Sequence, residues 1–267
     1  MSSSIRAEFV MNRSINFFLF AAALLSLPFL YVEMTQGFRI NKLYPAPFLQ
    51  AELEANQKTE PVLPLLCQPF RYLGKGMQFF VFESQDKQVV IKLFKRPKKN
   101  HSPERIQKTF SACQLAFTLA PKETGLLYIH LCHSSDQLPA LTLKNRLGIS
   151  YSIPLDSYSF VIQKKAEPFY SALLQAFRNG SAASLIDSYL ALIASRSSKG
   201  ICNTDFLLKN NFGFLGDQAI EMDFGNYIYA PENKEKELHL FTGRMRRFIK
   251  KHAPEYLTQY DDKVAAL

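Results

Sequence analysis

The spacing of three polar side chains near the end of the chain constrains its fold most strongly. Asp205 is followed five residues later by Asn210, and an Asp-Phe-Gly tripeptide starts thirteen residues further on, at Asp223. Between Asn210 and Asp223, two short apolar stretches flank the pair Gly216-Asp217, which predicts a β-hairpin. A hairpin returns the chain to its starting point, so it would present Asp223 beside Asn210. The pattern therefore predicts that an amide and a carboxylate side chain lie close together at the two ends of this hairpin.

A second pattern lies in the first half of the chain. Residues 69–73 and 77–82 are rich in β-favouring side chains and flank Gly74-Lys75-Gly76. After a polar turn, residues 88–94 form a third apolar run that contains Lys92. The order predicts three consecutive strands with a glycine turn between the first two.

Together, the two patterns resemble the protein-kinase-like superfamily. The resemblance implies an active site that uses ATP and Mg²⁺, in which glycine amides lie over the phosphates and a lysine neutralises them. By role, the residues that it implies are Gly74, Gly76, Val81 and Lys92 for the nucleotide, Asp205 for catalysis, and Asn210 and Asp223 for the metal.

The chain departs from the family pattern at several positions. Phe79 occupies the third glycine position, which predicts a bulkier flap over the γ-phosphate. The helix expected over residues 102–119 offers only Glu104, near its start, as a partner for Lys92, and Glu123 is an outside candidate. A register shift of one residue would make Asn211, rather than Asn210, the metal ligand.

Further departures concern the segments around the catalytic residues. Asn203-Thr204 precede Asp205 in place of His-Arg, so control by a phosphorylated activation loop is not expected. Forty-two residues (267 − 225) follow Gly225, without an Ala-Pro-Glu motif. The backbone near residues 163–165 is expected to contact the adenine edge. The basic helix predicted over residues 234–252 either packs on the C-lobe or lies on a membrane surface.

The predicted fold class is α+β. It is a two-lobed kinase-like fold with an antiparallel β N-lobe, a reduced and mainly helical C-lobe and an N-terminal transmembrane helix. The predicted segments are an N-terminal stretch (1–14), the membrane helix (15–34), a proline-containing tether (35–64), the N-lobe (65–165) and the C-lobe (166–267).

The N-terminal apolar run, residues 15–32, carries no charged residue and has about the length that a membrane span requires. It predicts a single-pass anchor, and the need for ATP places the catalytic domain on the cytoplasmic side. A cleaved signal peptide and a buried helix are the alternatives, and cleavage would give an exported protein.

Composition restricts the partners. The formal net charge is +9, which favours anionic ligands, but no nucleic-acid-binding motif accompanies it and nucleic acid is not an expected partner. The four cysteines are scattered without a CxxC pair, which indicates reduced thiols rather than a disulfide framework.

The sequence therefore predicts a membrane-anchored phosphotransferase that uses ATP and Mg²⁺. Its acceptor is expected to be a hydroxyl group on a small molecule, a sugar or a lipid-linked group rather than on a protein. The alternative is a pseudokinase that binds nucleotide or a partner and serves as a membrane-tethered scaffold.

Overall fold

The computed structural model of the protein describes residues 3–48, 59–97 and 104–267, with side chains from Leu19 onward. The first element is a helix, α1, over Ser3–Met34, with Pro28 inside it. The predicted membrane span, residues 15–34, lies within α1. Over the part of the chain that is described, however, no helix combines the length and the apolar character needed to cross a membrane, so the predicted transmembrane helix is not found.

A seven-stranded sheet dominates the first half of the described chain. Its strands are β1 (Phe70–Lys75), β2 (Phe79–Ser84), β3 (Val89–Phe94), β4 (Leu126–His130), β5 (Ala140–Lys144), β6 (Ser150–Pro154) and β7 (Phe160–Lys164). Their order in space is β4-β7-β3-β2-β1-β5-β6. All neighbours run antiparallel except β1 and β5, which run parallel. The three predicted strands around the glycine turn are thus neighbours in one sheet.

Short helices accompany this sheet. They are α2 (Leu63–Leu66), α3 (Glu104–Leu119) and α4 (Pro121–Thr124). The apolar residues of α3, among them Phe110 and Cys113, are buried against one face of the sheet. The periodicity that predicted this helix is therefore confirmed over the described residues 104–119, and its expected N-cap, Ser102, lies outside them.

The second half is mainly helical. Its helices are α5 (Phe169–Asn179), α6 (Ala182–Ser198), α7 (Leu208–Asn211), α8 (Lys234–His252) and α9 (Leu257–Ala265). Its strands are β8 (Glu167–Pro168), β9 (Ile201–Asn203), β10 (Phe212–Leu215), β11 (Gln218–Glu221) and β12 (Tyr227–Tyr229). They form two small sheets, β11-β10-β8 and β12-β9. A curled sheet followed by a helical part is a mixed α+β architecture that fits a kinase-like fold.

The helical part has its own apolar core. Tyr189 and Ile193 of α6, Phe241 and Met245 of α8 and Phe212 of β10 are fully or almost fully buried in one cluster. The basic helix predicted over residues 234–252 is α8, and its apolar face packs into this core. Of the two alternatives for that helix, the structure supports packing on the C-lobe.

The segment after α1 packs against the sheet, which corrects the prediction of a tether over residues 35–64. Phe38 is 2% exposed, and its ring lies edge-on to Phe80 and Phe82 at centroid distances of 5.2 and 5.0 Å. Leu43 and Val62 are buried in the same cluster. Prolines usually indicate an extended linker. Here the buried side chains of Phe38 and Leu43, which precede the prolines, hold this segment on the domain. Residues 49–58 lie outside the described part.

Adjacent side chains of β2 serve two different cores, because successive residues of a strand point to opposite faces of the sheet. Phe80 and Phe82 join the cluster that contains Phe38. Phe79 joins the cluster under α3, where its ring lies 4.6 Å from that of Phe94. Phe79 is thus a core residue, which corrects the prediction that it makes the flap over the γ-phosphate bulkier.

We predict that Phe79→Ala lowers the free energy of unfolding by about 3–5 kcal/mol, because it leaves a cavity between the sheet and α3. Urea titration followed by circular dichroism measures the loss. Met77→Ala is the control, since Met77 is 74% exposed at the neighbouring turn and its truncation should change stability little. Equal stability of the two variants would contradict the core position of Phe79.

Candidate active site

Lys92 lies on β3, an interior strand of the sheet between β7 and β2. Its side chain is partly buried, and its ammonium group donates a hydrogen bond to the backbone oxygen of Met222 at 2.5 Å. The Lys92 nitrogen also lies 5.2 Å from the centre of the Phe224 ring. Burial lowers the pKa of Lys92, whereas the negative charge of Asp223 opposes this shift. The sheet and the Asp-Phe-Gly segment therefore meet at Lys92.

The helix α3 presents a thiol near Lys92. Cys113 is fully buried, and burial raises the pKa of its thiol while the charge of Lys92 opposes the shift. Glu104 is exposed in the first turn of α3. The outside candidate Glu123 instead accepts hydrogen bonds from Ser195 and Lys199, so it is not positioned as the partner of Lys92. The carboxylate whose charge acts on Lys92 is Asp223.

Asp205 lies in the loop between β9 and α7. Its backbone N–H donates to the side-chain oxygen of Asn203 at 2.8 Å, and its Oδ1 accepts the backbone N–H of Leu207 at 3.1 Å. Both bonds fix the loop locally, as is usual for Asn and Asp side chains in turns. The Asp205 carboxylate is partly exposed, which leaves it accessible to a substrate hydroxyl.

Asn211, not Asn210, contacts Asp205. The Asn211 side chain is 1% exposed, and its Nδ2 donates to the backbone oxygen of Asp205 at 3.0 Å. The backbone oxygen of Asn211 accepts N–H groups from Met222 and Asp223 at 2.5 and 3.2 Å. Asn210 is exposed to solvent. The contact with Asp205 is thus made by Asn211, the residue of the shifted register, and the choice between the two asparagines as metal ligand stays a prediction.

The predicted hairpin brings Asp223 to this place. Strands β10 and β11 pair antiparallel from Phe212 opposite Glu221 to Leu215 opposite Gln218, and the turn residue Gly216 has a φ of 59°. Asp223 Oδ1 accepts the backbone N–H of Gly225 at 3.2 Å. The Asp223 backbone oxygen accepts a hydrogen bond from Asn203 Nδ2 at 3.1 Å. Asn203 therefore connects the loop of Asp205 to the segment of Asp223.

A buried ionic cluster lies behind these loops. Arg196 donates hydrogen bonds to Glu221 and, at 2.8 Å, to Glu237, and all three side chains are at most 3% exposed. Glu221 also accepts hydrogen bonds from Asn203 Nδ2 at 2.7 Å and from the hydroxyl of Tyr227 at 2.6 Å. Glu237 accepts the backbone N–H of Asn203 at 2.5 Å. We call Arg196, Glu221 and Glu237 the buried charge cluster.

Burial and the neighbouring charge have opposite effects on the pKa of Glu221 in this cluster. Burial raises the pKa of Glu221, whereas the charge of Arg196 and the hydrogen bonds from Tyr227 and Asn203 oppose it. Sequence reasoning missed the cluster and the role of Asn203. The available signals were an arginine inside the core-facing α6 and a glutamate two residues before Asp223 in an otherwise apolar strand.

The glycine turn lies two strands away from Lys92 in the sheet. Gly74 of β1 pairs with Val81 of β2, and Val81 pairs with Lys92 of β3. Two of the predicted nucleotide-binding residues, Gly74 and Val81, are thereby aligned with Lys92 across the sheet. A Cβ atom added to Gly74 or Gly76 would meet no atom within 4 Å. A Cβ atom on Gly225 would come within 3.0 Å of the Gln78 side-chain oxygen. The tip of the β1–β2 hairpin therefore reaches the Asp-Phe-Gly segment.

In the segment predicted to contact adenine, two backbone N–H groups donate hydrogen bonds to other backbone oxygens. The backbone N–H groups of Lys164 and Lys165 donate to Gly125 and Gln88, each at 2.9 Å. These two N–H groups are thus not free to contact adenine, and the expectation that the backbone near residues 163–165 contacts the adenine edge stays a prediction. Ala166, the next residue, approaches Gly213, where a Cβ atom would lie 2.9 Å from that of Ala166.

The candidate ligands for a magnesium ion are the side chains of an asparagine and of Asp223. The Asn211 side chain donates to the backbone oxygen of Asp205, and the Asn211 backbone oxygen accepts the N–H of Asp223. Among the described residues, no group of three or more His, Cys, Asp or Glu residues could hold a metal. A pair of oxygen ligands suits Mg²⁺, which keeps several waters and takes substrate phosphates as its other ligands.

Comparison with known proteins gives limited information. No protein-family model matches the chain, and no curated protein matches its sequence. Among solved structures, the chain is similar to WbdD in its co-crystal structure with the kinase inhibitor LY294002, with 13% sequence identity and a TM-score of 0.36. The match covers 66% of this chain and 35% of the WbdD chain, so this chain spans about a third of that protein.

We predict that Arg196→Met lowers the free energy of unfolding by about 3–5 kcal/mol, because it leaves two buried carboxylates without their cation. Chemical denaturation measures the loss. Arg246→Met removes an arginine that pairs with Asp261 on the surface, and this control should change stability little. Equal losses in the two variants would contradict a structural role for the buried charge cluster.

We also predict different effects for the two adjacent asparagines. Asn211→Ala removes the hydrogen bond to Asp205 and should lower the free energy of unfolding by about 1–3 kcal/mol. It should also abolish any Mg²⁺-dependent stabilisation by ATP. Asn210→Ala, at an exposed position, should preserve both properties in a thermal-shift titration. The reverse result would restore Asn210 as the ligand.

Proposed function

We propose that the chain is a phosphotransferase that uses ATP and Mg²⁺ to phosphorylate a hydroxyl group. A continuous set of hydrogen bonds carries the proposal. It runs from Lys92 through Met222 to Asn211, from Asn211 to Asp205, and from Asp205 through Asn203 to Asp223. These bonds connect Lys92 to the segment of Asp205, Asn211 and Asp223, although Lys92 and Met222 are 130 positions apart in the sequence.

Each group has a role that follows from its position. Lys92 would neutralise the nucleotide phosphates as a point charge. Asp205, fixed by its neighbours but partly exposed, would orient the acceptor hydroxyl and accept its proton. Asn211 and Asp223 would hold Mg²⁺, which lowers the charge repulsion between the phosphates and the attacking oxygen. An ATP-dependent site implies the cytoplasmic side of a cell.

A small, sugar or lipid-linked acceptor is favoured over a protein. Strand β12 begins two residues after Gly225 and pairs with β9, with Tyr227 opposite Asn203. Helix α8 then begins at Lys234 and packs into the C-terminal core. The described residues 226–234 therefore form no long segment on which a peptide substrate would lie.

One observation favours a second candidate function, a pseudokinase that binds nucleotide or a partner without transferring phosphate. The position on α3 near Lys92 carries the neutral thiol of Cys113, so α3 supplies no negative charge that would orient the lysine. Such a protein would retain the phosphate-binding residues but lack transfer activity.

We predict that the full chain is stabilised by ATP only when Mg²⁺ is present, and that Asp223→Asn and Lys92→Met abolish this stabilisation. Phosphate transfer to a pool of sugars and lipid-linked acceptors, measured with ATP labelled at the γ-phosphate, should fall about a hundredfold or more in Asp223→Asn.

Two further variants separate the candidate functions. Asp205→Asn should keep the stabilisation by ATP and Mg²⁺ but lose transfer, because Asp205 acts on the acceptor. Asp217→Asn, at the exposed β10–β11 turn, should behave as the unchanged chain. Stabilisation without transfer in every variant would support the pseudokinase, and a chain that ATP and Mg²⁺ never stabilise would contradict both functions.

A further inference from the structure

A cavity lies beside the tip of the β1–β2 hairpin, at the ends of the central strands of the N-terminal sheet. It is a cleft of about 730 Å³ between the end of α1, the tip of the β1–β2 hairpin, the residues after β3 and the start of α3. Among its lining residues, those with charged side chains are all cations: Lys42, Lys75, Lys95, Arg96 and Arg105. We call this cavity the basic cleft.

Backbone oxygens hold several of these cations in place. Lys75 donates to the carbonyl of Gln36 at 2.7 Å, and Lys42 donates to that of Gly37 at 3.0 Å. Both acceptors belong to the left-handed turn that ends α1, where cations are favourable. An ammonium group has three donors and a guanidinium has five, so donors remain for a ligand. Within the described residues, no ion pair is formed by Lys42, Lys75, Arg96 or Arg105.

The helix that borders the basic cleft has an exposed apolar surface. Leu25 and Phe29 of α1 are 72% and 78% exposed. The other large apolar residues described on the same helix are also exposed: Leu19, Phe20, Leu24, Leu27, Leu30, Tyr31, Val32 and Met34. Val32 also lines the basic cleft. A contiguous apolar surface of this kind usually marks an interaction site.

The basic cleft lies at the C-terminal end of the apolar helix α1. The last turn of α1 is fixed to the domain, since Thr35 and Phe38 are buried and Arg39 lies 4.2 Å from the Tyr31 ring. The cations of the cleft therefore lie at the domain end of the apolar helix. A ligand that satisfies both features carries a negative charge at one end and hydrocarbon chains at the other.

We propose that the basic cleft binds the phosphate group of an anionic phospholipid, whose acyl chains lie against the apolar surface of α1. Phosphate oxygens suit the lysine and arginine donors. Each basic residue near an anionic bilayer adds about 1 kcal/mol of binding free energy, and the apolar residues of α1 add the hydrophobic contribution. The residues that line the cleft do not include Lys92 or Asp223, although Gln78 lines the cleft and also lies beside Gly225.

Sedimentation of the full chain with vesicles tests the proposal. One set of vesicles contains phosphatidylcholine alone, and the other contains phosphatidylcholine and phosphatidylglycerol in equal amounts. The double variant Lys75→Gln/Arg105→Gln should bind the mixed vesicles about thirtyfold more weakly than the unchanged chain. Arg105→Gln alone, which removes a side chain that contacts the Met77 sulfur, should show part of this loss with an unchanged unfolding temperature.

The double variant Lys250→Gln/Lys251→Gln is the matched control. It removes the same charge from exposed positions of α8, away from the basic cleft, and should bind as the unchanged chain does. The variant Leu25→Asn/Phe29→Asn should bind both sets of vesicles more weakly, because it removes apolar surface from α1.

Three outcomes would overturn the proposal. The first is equal binding of the unchanged chain to both sets of vesicles. The second is an equal loss of binding in Lys75→Gln/Arg105→Gln and Lys250→Gln/Lys251→Gln. The third is unchanged binding of Leu25→Asn/Phe29→Asn. Inorganic phosphate, added in place of chloride at equal ionic strength, identifies the source of the phosphate group. Displacement by inorganic phosphate would assign the cleft to a free phosphate compound rather than a lipid.

Discussion

The buried contact between Arg196 and its two carboxylates is the interaction on which the candidate site depends. An arginine removed from water is unfavourable unless it is paired and hydrogen-bonded, and here Glu221 and Glu237 provide both. The same carboxylates accept hydrogen bonds from Asn203, through its side chain and its backbone. Asn203 in turn fixes Asp205 and Asp223. The charge of Arg196 is thus balanced by groups that also determine where the two candidate catalytic carboxylates lie.

The sequence predicts what depends on local pattern. β-Favouring side chains and glycine turns predicted β1 to β3 and the β10–β11 hairpin, and the helices expected over residues 102–119 and 234–252 correspond to α3 and α8. Lys92, Asp205 and Asp223 were singled out because their spacing and context resemble the protein-kinase-like superfamily. The buried charge cluster could not be predicted this way, because Arg196 is separated from Glu221 by 25 residues and from Glu237 by 41. Only the packing of α6 on β11 and α8 brings them together.

Burial distinguishes alternatives that a local sequence pattern leaves equivalent. Asn210 and Asn211 are equivalent in a spacing argument, but Asn211 is turned towards Asp205 and Asn210 is turned to solvent. The prolines after α1 predicted a tether because they interrupt regular structure. The interaction of Phe38 with Phe80 and Phe82 outweighs that tendency, since burying an aromatic side chain stabilises a packed arrangement by about 2–3 kcal/mol.

The surroundings of Lys92 connect the fold to the proposed chemistry. Burial favours the neutral amine, and the charge of Asp223 favours the ammonium. Because the folded pKa is lowered, folding without ligand becomes more favourable as the pH rises from this lowered value towards the ordinary lysine pKa. Nucleotide phosphates would reverse the shift, since negative charges stabilise the ammonium. Cys113 supplies no charge from α3, so the protonated lysine depends on Asp223 and on the ligand itself. In the proposed function, phosphate binding and protonation of Lys92 would therefore be coupled, and this coupling would favour a phosphate-bearing ligand at the site.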